Sequence, residues 1–461
     1  MALRITFHGG AESVTGSNFL IEGTEGKLLV DCGLEQGREA SIREMAEPFA
    51  FDVSSIHALV ITHAHLDHIG RAPKLMREGF AGKVYATHAT LDLMDIMLRD
   101  SVSLLGQEAA EAGIPPLYTE QDVDALMARA VPVPLHTETT VAPGLSIYFR
   151  QTGHILGSVS VRVKDADGTT LAITGDIGNT PNPYLPDAEP IEDADALVME
   201  SVYGDRLHDH KGKARETALK DALLRAIQRG GTILIPAFSI ERTQLMLYEI
   251  SNMMDSGELP RVPVFLDSPL AIKVTEMYEK WSGEYFKKEV QDEVKKEGSI
   301  FRFKNFQDTL SREDSMDIDH VPGPKIILAG AGMSHGGRIG RHEALYLPDP
   351  KTTLFIVGYQ APGSPGRMLQ DGAPKVQVNG KWVRMRAKVE QFSGWSAHAD
   401  RDGLLEFAQK ATRTRTFFVT LGEPASARFL AQRIHDYLGR KAIVPTEGEV
   451  WEVSKEGVRR I

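Results

Sequence analysis

The sequence predicts a mixed α/β protein with a strand-rich opening part, an inserted α/β unit and a closing mixed part. Three observations carry that prediction. The early apolar runs are short and strand-like. Between about 203 and 370 such runs alternate with helix-length stretches, the pattern of a parallel sheet with right-handed crossovers. The chain has 461 residues, 42% hydrophobic and 25% charged; at about 150 residues per domain this suggests two or three units able to bury a core. The expected boundaries are 1–202, 203–370 and 371–461.

In chain order, "LRITFH", "NFLIEG" and "KLLVDCG" read as strands, then "IHALVIT", then a helix around 91–112. "LSIYFRQTGH", "SVSVRVKDADGTTLAITGD" and "ALVMESVYGD" are strands again, with a hairpin turn at "DADG". From 203 onward, helical "KARETALKDALLRAIQRGG" leads into strand "TILIPAF", and "ERTQLMLYEISNMMDSG" into "VPVFLDS". Strands "KIILAGAG" and "TTLFIVGYQ" follow. Pro and Gly crowd 361–374, which reads as a crossing between domains. Strand-like "KWVRMRAKVEQFSG", the helix "DRDGLLEFAQKA" and "TRTFFVTLG" close the pattern.

A single cysteine, Cys32, excludes an internal disulfide framework and fits a reducing compartment. No signal-peptide pattern and no run near ~18 apolar residues is evident, so a soluble cytoplasmic protein with no membrane partner is expected. Charge is uneven: 1–202 holds 13 Lys+Arg against 29 Asp+Glu, 203–370 holds 23 of each, and 371–461 holds 16 against 11. The acidic first part suits a cation site, and the rest is better placed to meet an anion.

The chemistry gathers at "THAHLDHIG", where His63, His65, Asp67 and His68 follow an apolar strand. A strand end lets closely spaced side chains converge, and imidazole with carboxylate is a good donor set for zinc. Other ligand types stand at strand ends: Asp31 in "VDCG", His154 in "QTGHILGS" and Asp176 in "ITGD". Gly33 allows a tight turn behind Asp31, and Cys32 is expected to pack beside it rather than ligate.

In this order, Asp31, the His63–His68 block, His154 and Asp176 resemble the successive motifs of the metallo-β-lactamase superfamily. The resemblance implies an αββα sandwich with two zinc ions at one edge of the sheets. His63, His65 and His154 would hold one ion, Asp67, His68 and a bridging Asp176 the other, with Asp31 in support. "MESVYGDR" resembles the glutamate motif opening the β-CASP subgroup, whose members cleave nucleic acids, and makes Glu200 a site residue. "IPAFSIERTQ", "GAGMSHGGR" and "VGYQAPGSPGRML" match the inserted domain. "SGWSAHAD" matches the last motif, where His398 completes the second zinc site and resembles the RNA-cleaving branch rather than the DNA-cleaving one. One position departs: relatives of the eukaryotic type carry a His where Met368 stands.

The expected activity is zinc-dependent hydrolysis of RNA phosphodiesters by two metals, with internal cutting. Asp31 or Asp67 would orient or deprotonate the attacking water, and Glu200 or His398 would serve the leaving oxygen. Arg206, Arg242, Ser334, His335, Arg338 and Arg367 are candidates to hold RNA. Arg384, Arg386 and Lys388 share a face at period two and read as a solvated strand face, with a phosphate track as the alternative; His208 and His210 read as loop residues. A hydrolase of a small ester, thioester or lactam, a DNA nuclease and a non-catalytic RNA-binding subunit are the alternatives. The partners expected are RNA and, as an open option, a second copy of the chain.

Overall fold

Short apolar runs, each long enough for one strand, assemble into three large sheets in two compact units. The computed structural model describes residues 2–208, 212–238, 240–334, 336–358, 360, 363–392 and 394–461. One unit holds 1–180, 185–207 and 398–461; the other holds 181–184 and 208–397.

The first unit is an αββα sandwich. One sheet runs in the order Gly457–Arg460, Val450–Ser454, Leu3–Gly9, Asn18–Glu22, Lys27–Val30, Ala58–Val60, Lys83–Ala86, Ala130–Pro132. The other runs Lys441–Ile443, Thr416–Thr420, Ala196–Glu200, Thr170–Ile173, Val159–Asp165, Leu145–Gln151, Thr139–Ala142. Alternation sets what each strand faces. In "TFFVT", Phe418 enters the core shared with Phe7, Ile21 and Val30 of the first sheet. Phe417 and Val419 turn outward onto Leu404, Phe407, Leu430 and Ile434 of the helices Arg401–Lys410 and Pro424–Leu438. The Phe7 and Phe418 rings lie 5.5 Å apart across the two sheets; burying each contributes about 1.5–3 kcal/mol.

The second half of this unit depends on residues far along the chain. Val450–Ser454 pairs antiparallel with Leu3–Gly9, and Thr416–Thr420 pairs parallel with Ala196–Glu200. The hairpin expected at "DADG" joins Val159–Asp165 to Thr170–Ile173. The helix expected around 91–112 begins earlier, at His88, where the Thr87 side chain accepts from the Thr90 N–H.

The second unit carries a six-stranded sheet in the order Phe306–Asp308, Val264–Leu266, Lys325–Ala329, Thr232–Pro236, Thr353–Ile356, Lys388–Gln391. Every pairing in it is parallel, as the strand–helix alternation predicted. The far end of this unit differs from the sequence reading. Lys388–Gln391 pairs with Thr353–Ile356, so the unit runs to Ala397 rather than stopping at 370. The Pro/Gly-rich stretch is therefore no crossing: Ser364 caps a short helix, Pro365–Gln370, with Pro365 in its first turn. A two-stranded hairpin, Lys375–Val378 with Lys381–Arg384, follows. Among the described residues, no helix is long and apolar enough to cross a membrane.

Candidate metal centre

Strand direction brings the candidate ligands together. Lys27–Val30 and Ala58–Val60 run parallel, so Asp31 and His63, just past them, leave the same edge. Thr170–Ile173 and Ala196–Glu200 are also parallel and deliver Asp176 and Glu200. His154 follows Leu145–Gln151, and His398 makes an isolated bridge to Gly178 before the Arg401–Lys410 helix.

Donor atoms of His63, His65, His154 and Asp176 lie within 4.8 Å of one another. His65 Nδ1 is 3.1 Å from both His63 Nε2 and His154 Nε2. Asp176 Oδ2 is 3.4 Å from His63 Nε2 and 3.3 Å from His154 Nε2. Four ligands around a tetrahedral zinc at about 2.0–2.1 Å would stand roughly 3.3 Å apart. The donor set and its spacing therefore fit such an ion. Asp176, Glu200 and His398 form a second group within the same limit. His398 Nδ1 is 3.5 Å from Glu200 Oε1 and 3.7 Å from Asp176 Oδ2. Asp176 belongs to both groups.

His68 adds to this pair through orientation. Its Nδ1 faces Asp31 Oδ2 at 2.7 Å, while its Nε2, buried and without a hydrogen-bond partner among the described residues, faces Asp176 Oδ1 at 3.5 Å. Asp31 is fully buried and also accepts from Ser17 Oγ, the Thr62 N–H and Thr62 Oγ1. A carboxylate so occupied orients an imidazole; it is not placed to take a proton from water, which was one of its two expected roles. Asp31 itself adopts φ 62°, whereas Gly33 answers a close approach: a Cβ there would meet the Asp67 carbonyl oxygen at 1.6 Å. Thr62 and Ser17 were not singled out from sequence, although Thr62 opens the "THAHLDH" block.

Electrostatics follow the crowding. Burial, with the neighbouring imidazoles, holds His65 and His154 well below the usual histidine range. Burial pulls His68 the same way, yet Asp176 and Asp31 outweigh it and raise His68 well above that range. Burial would raise Asp176, but the surrounding histidines keep it well below the carboxylate range. Burial raises Glu200, whose oxygens accept from the Ile177 and Val202 N–H groups. Glu200, expected to act on the leaving group, thus stands with His398 as a potential ligand or its support. Asp67 is half-buried and raised by burial, and its carboxylate belongs to neither donor group.

The candidates for RNA contact are divided between the two units. Arg206, in the first unit, pairs with Asp205 and lies over the Tyr203 ring. In the second unit, Arg242 lies over the Phe238 ring and donates to the Trp395 carbonyl at 3.4 Å. Arg367 pairs with Asp371 on the surface. Arg338 is committed to structure: it donates to Asp267 Oδ1, the Thr309 carbonyl and the Leu310 carbonyl. Ser334 is buried and donates to Glu343 Oε1 at 2.5 Å, so its hydroxyl faces inward. His335 and His210 lie outside the described residues; His208 is a buried loop residue. Met368 is partly exposed.

Residues 14–236 match the metallo-beta-lactamase superfamily and 243–369 the Beta-Casp domain. Residues 382–445 match the Zn-dependent metallo-hydrolase RNA specificity domain. The chain is 38% identical over 412 residues to Ribonuclease TTHA0252 of Thermus thermophilus, covering 89% of this chain and 92% of that one.

The chain belongs to the metallo-β-lactamase superfamily and carries its β-CASP domain.

A second member, an RNase J-like protein of Methanocaldococcus jannaschii, is 30% identical over 97% of this chain and 99% of its own. Transcription termination factor FttA of Methanosarcina mazei is 30% identical over 95% of this chain and 69% of its own. A crystal structure of a protein of unknown function from Enterococcus faecalis shares the fold, with a TM-score of 0.58 at 11% identity, covering 98% of this chain and all of that one. The two donor groups share Asp176.

Proposed function

We propose that this metal-dependent ribonuclease holds two zinc ions and cuts RNA phosphodiesters internally, in RNA processing or decay. The observation that carries the reading is the pair of largely buried donor groups joined through Asp176. The names of the relatives, a ribonuclease and an RNase J-like protein, support RNA as the substrate. His63, His65, His154 and Asp176 would hold one ion. Asp176, His68 and His398, with Glu200 or Asp67, would hold the other. When bound, two cations neutralise the charge that makes a phosphodiester a poor electrophile and ready water for attack near neutral pH.

The chain's own residues supply the rest. Asp31 holds His68 in one orientation, so that Nε2 points at Asp176. Glu200, pinned by two backbone N–H groups, holds His398. Asp67, as a ligand of that second ion or beside it, would orient the attacking water or accept its proton. The leaving oxygen needs a proton, which Met368 cannot give; His398 and Glu200 are the groups for that task, worth about 10² to 10⁴ in rate. The buried Cys32, its thiol pushed up to about 12, is no thiolate ligand and supports a cytoplasmic setting.

A small-molecule hydrolase would share the donor groups but leaves the second unit, 181–184 and 208–397, without a task. The test measures zinc per chain and incubates the protein with end-labelled RNA, matching DNA, a thioester and a lactam. Near two zinc per chain and internal RNA cuts are expected. Brisk thioester or lactam turnover without RNA cleavage under any metal condition would refute the reading; preference for DNA would move it to the DNA-cleaving branch.

A further inference from the structure

The hairpin Lys375–Val378/Lys381–Arg384 has two unlike faces. Val376, Val378 and Val383 are buried in the second unit's core with Ile339 and Leu369, on the helices Gly337–Tyr346 and Pro365–Gln370. The tip is drawn in close: a Cβ on Gly340 of the first of these helices would lie 3.0 Å from the Asn379 amide. The opposite face is exposed, yet it carries a tryptophan. Trp382 is 61% exposed among large hydrophobics that are mostly buried. Cross-strand pairing sets Gln377 opposite Trp382 and Lys375 opposite Arg384, so all four share that face. The Lys375 ammonium lies 4.7 Å from the Trp382 ring centroid.

The charge around this ring has one sign. Residues 373–388 contain five cations and no carboxylate. Lys388 pairs with Glu390, but among the described residues Lys375, Lys381, Arg384 and Arg386 pair with no carboxylate. An exposed indole wastes hydration unless something flat covers it, and unpaired cations beside it attract anions. A base stacked on an aromatic ring with its phosphates on flanking cations meets both needs and is indifferent to sequence. Arg384 is two residues from Trp382, about 7 Å along the strand, roughly the reach from a base to a neighbouring phosphate. A second copy of the chain is a poor occupant, since a two-fold contact would set like charges face to face.

We propose that the outer face of this hairpin is a docking platform for single-stranded RNA, with Trp382 stacking on one base and Lys375 and Arg384 holding the flanking phosphates. It rests on the ribonuclease reading above and adds a substrate-holding site outside the metal centre.

The test uses the full zinc-loaded protein, a 30-nucleotide unstructured RNA, its duplex and bis(p-nitrophenyl) phosphate, which has no run of bases and phosphates to lie along the hairpin. Trp382→Ala should raise KM for the single strand about 5- to 100-fold, leaving kcat, the duplex and the small ester unchanged. Trp382→Phe should restore most of the loss, which a merely structural role would not predict. Lys375→Gln with Arg384→Gln should flatten the slope of log affinity against log salt by about 1.4, at about 0.7 per phosphate contact. Fluorescence anisotropy of a labelled strand reads binding separately from cutting. Cleavage with a KM indifferent to Trp382 overturns this proposal alone. Trp382-dependent binding without cleavage overturns the ribonuclease reading alone, and neither binding nor cleavage overturns both. A dimer that Trp382→Ala converts to monomer, with RNA affinity unchanged, reassigns the face to self-association and overturns it.

Discussion

Asp31 shows how one buried carboxylate governs a site it does not enter. Four protein groups donate to it, and one of them is the His68 ring. Replacing it with Asn keeps the size but puts an amide N–H where two donors converge. Asp31→Asn should fold, lower metal affinity or cleavage about 10- to 100-fold, the usual effect of losing a ligand's orienting partner, and release one zinc more readily than the other. Asp67→Ala should lose both metal and cleavage, whereas His398→Ala should empty one site. Metal analysis of the purified variants alongside RNA cleavage checks all three; unchanged metal content and rate in His398→Ala would remove that residue from the site. The ligand block was legible in sequence because His63, His65 and His68 sit within six positions of one another at a strand end. Arg338 was not: its carboxylate partner, Asp267, is 71 residues away and looked like any strand-terminal Asp. His398 was legible only through the family's motif order, since the residues beside it name no partner.

At the scale of one element, the helix Gly337–Tyr346 carries a buried acid that sets a pH response. Glu343 is fully buried, accepts from Ser334 through Oε1, and has no hydrogen-bond partner for Oε2 among the described residues. Burial pushes it up to about 7 from an unfolded value near 4.5. Between those values the folded chain holds a proton that the unfolded chain has released, so stability falls as pH rises from about 4.5 to 7 and levels off above. The integrated loss is about 3 kcal/mol. Glu343→Gln removes this group's share: denaturant midpoints should match the wild type near pH 5 and exceed it at pH 8. A wild-type-minus-variant difference that is flat with pH would refute the assignment. The same helix shows where local signals mislead. The Gly-rich run before it reads as an anion cradle, but Ser334 turns inward to Glu343 and Arg338 inward to Asp267. The 361–374 stretch likewise reads as a linker, because Pro at a helix start and Pro in a linker look alike until Ser364 is seen capping.

Across the whole chain, each unit has its own core: Phe7, Val198 and Phe418 belong to one, Leu234, Ile327 and Ile356 to the other. The strand–helix alternation that marks the insert was plain in the sequence, because buried parallel strands are continuous apolar runs. The return to the first unit was harder to place, because Lys388–Gln391 and Thr416–Thr420 read alike as strands and only their partners assign them to different sheets. Every residue of the two donor groups, together with Asp31 and His68, lies in the first unit, His398 being the first residue after the insert. Metal that binds only the folded form stabilises by RT ln(1 + [L]/Kd), about 4 kcal/mol at a thousandfold excess over Kd. Calorimetry should therefore show two unfolding transitions, with chelation lowering the first unit's and leaving the other in place. Zinc should restore the lowered transition, and Asp176→Ala should make it indifferent to zinc. A single transition that moves as a whole on chelation would mean that the two cores unfold as one cooperative body.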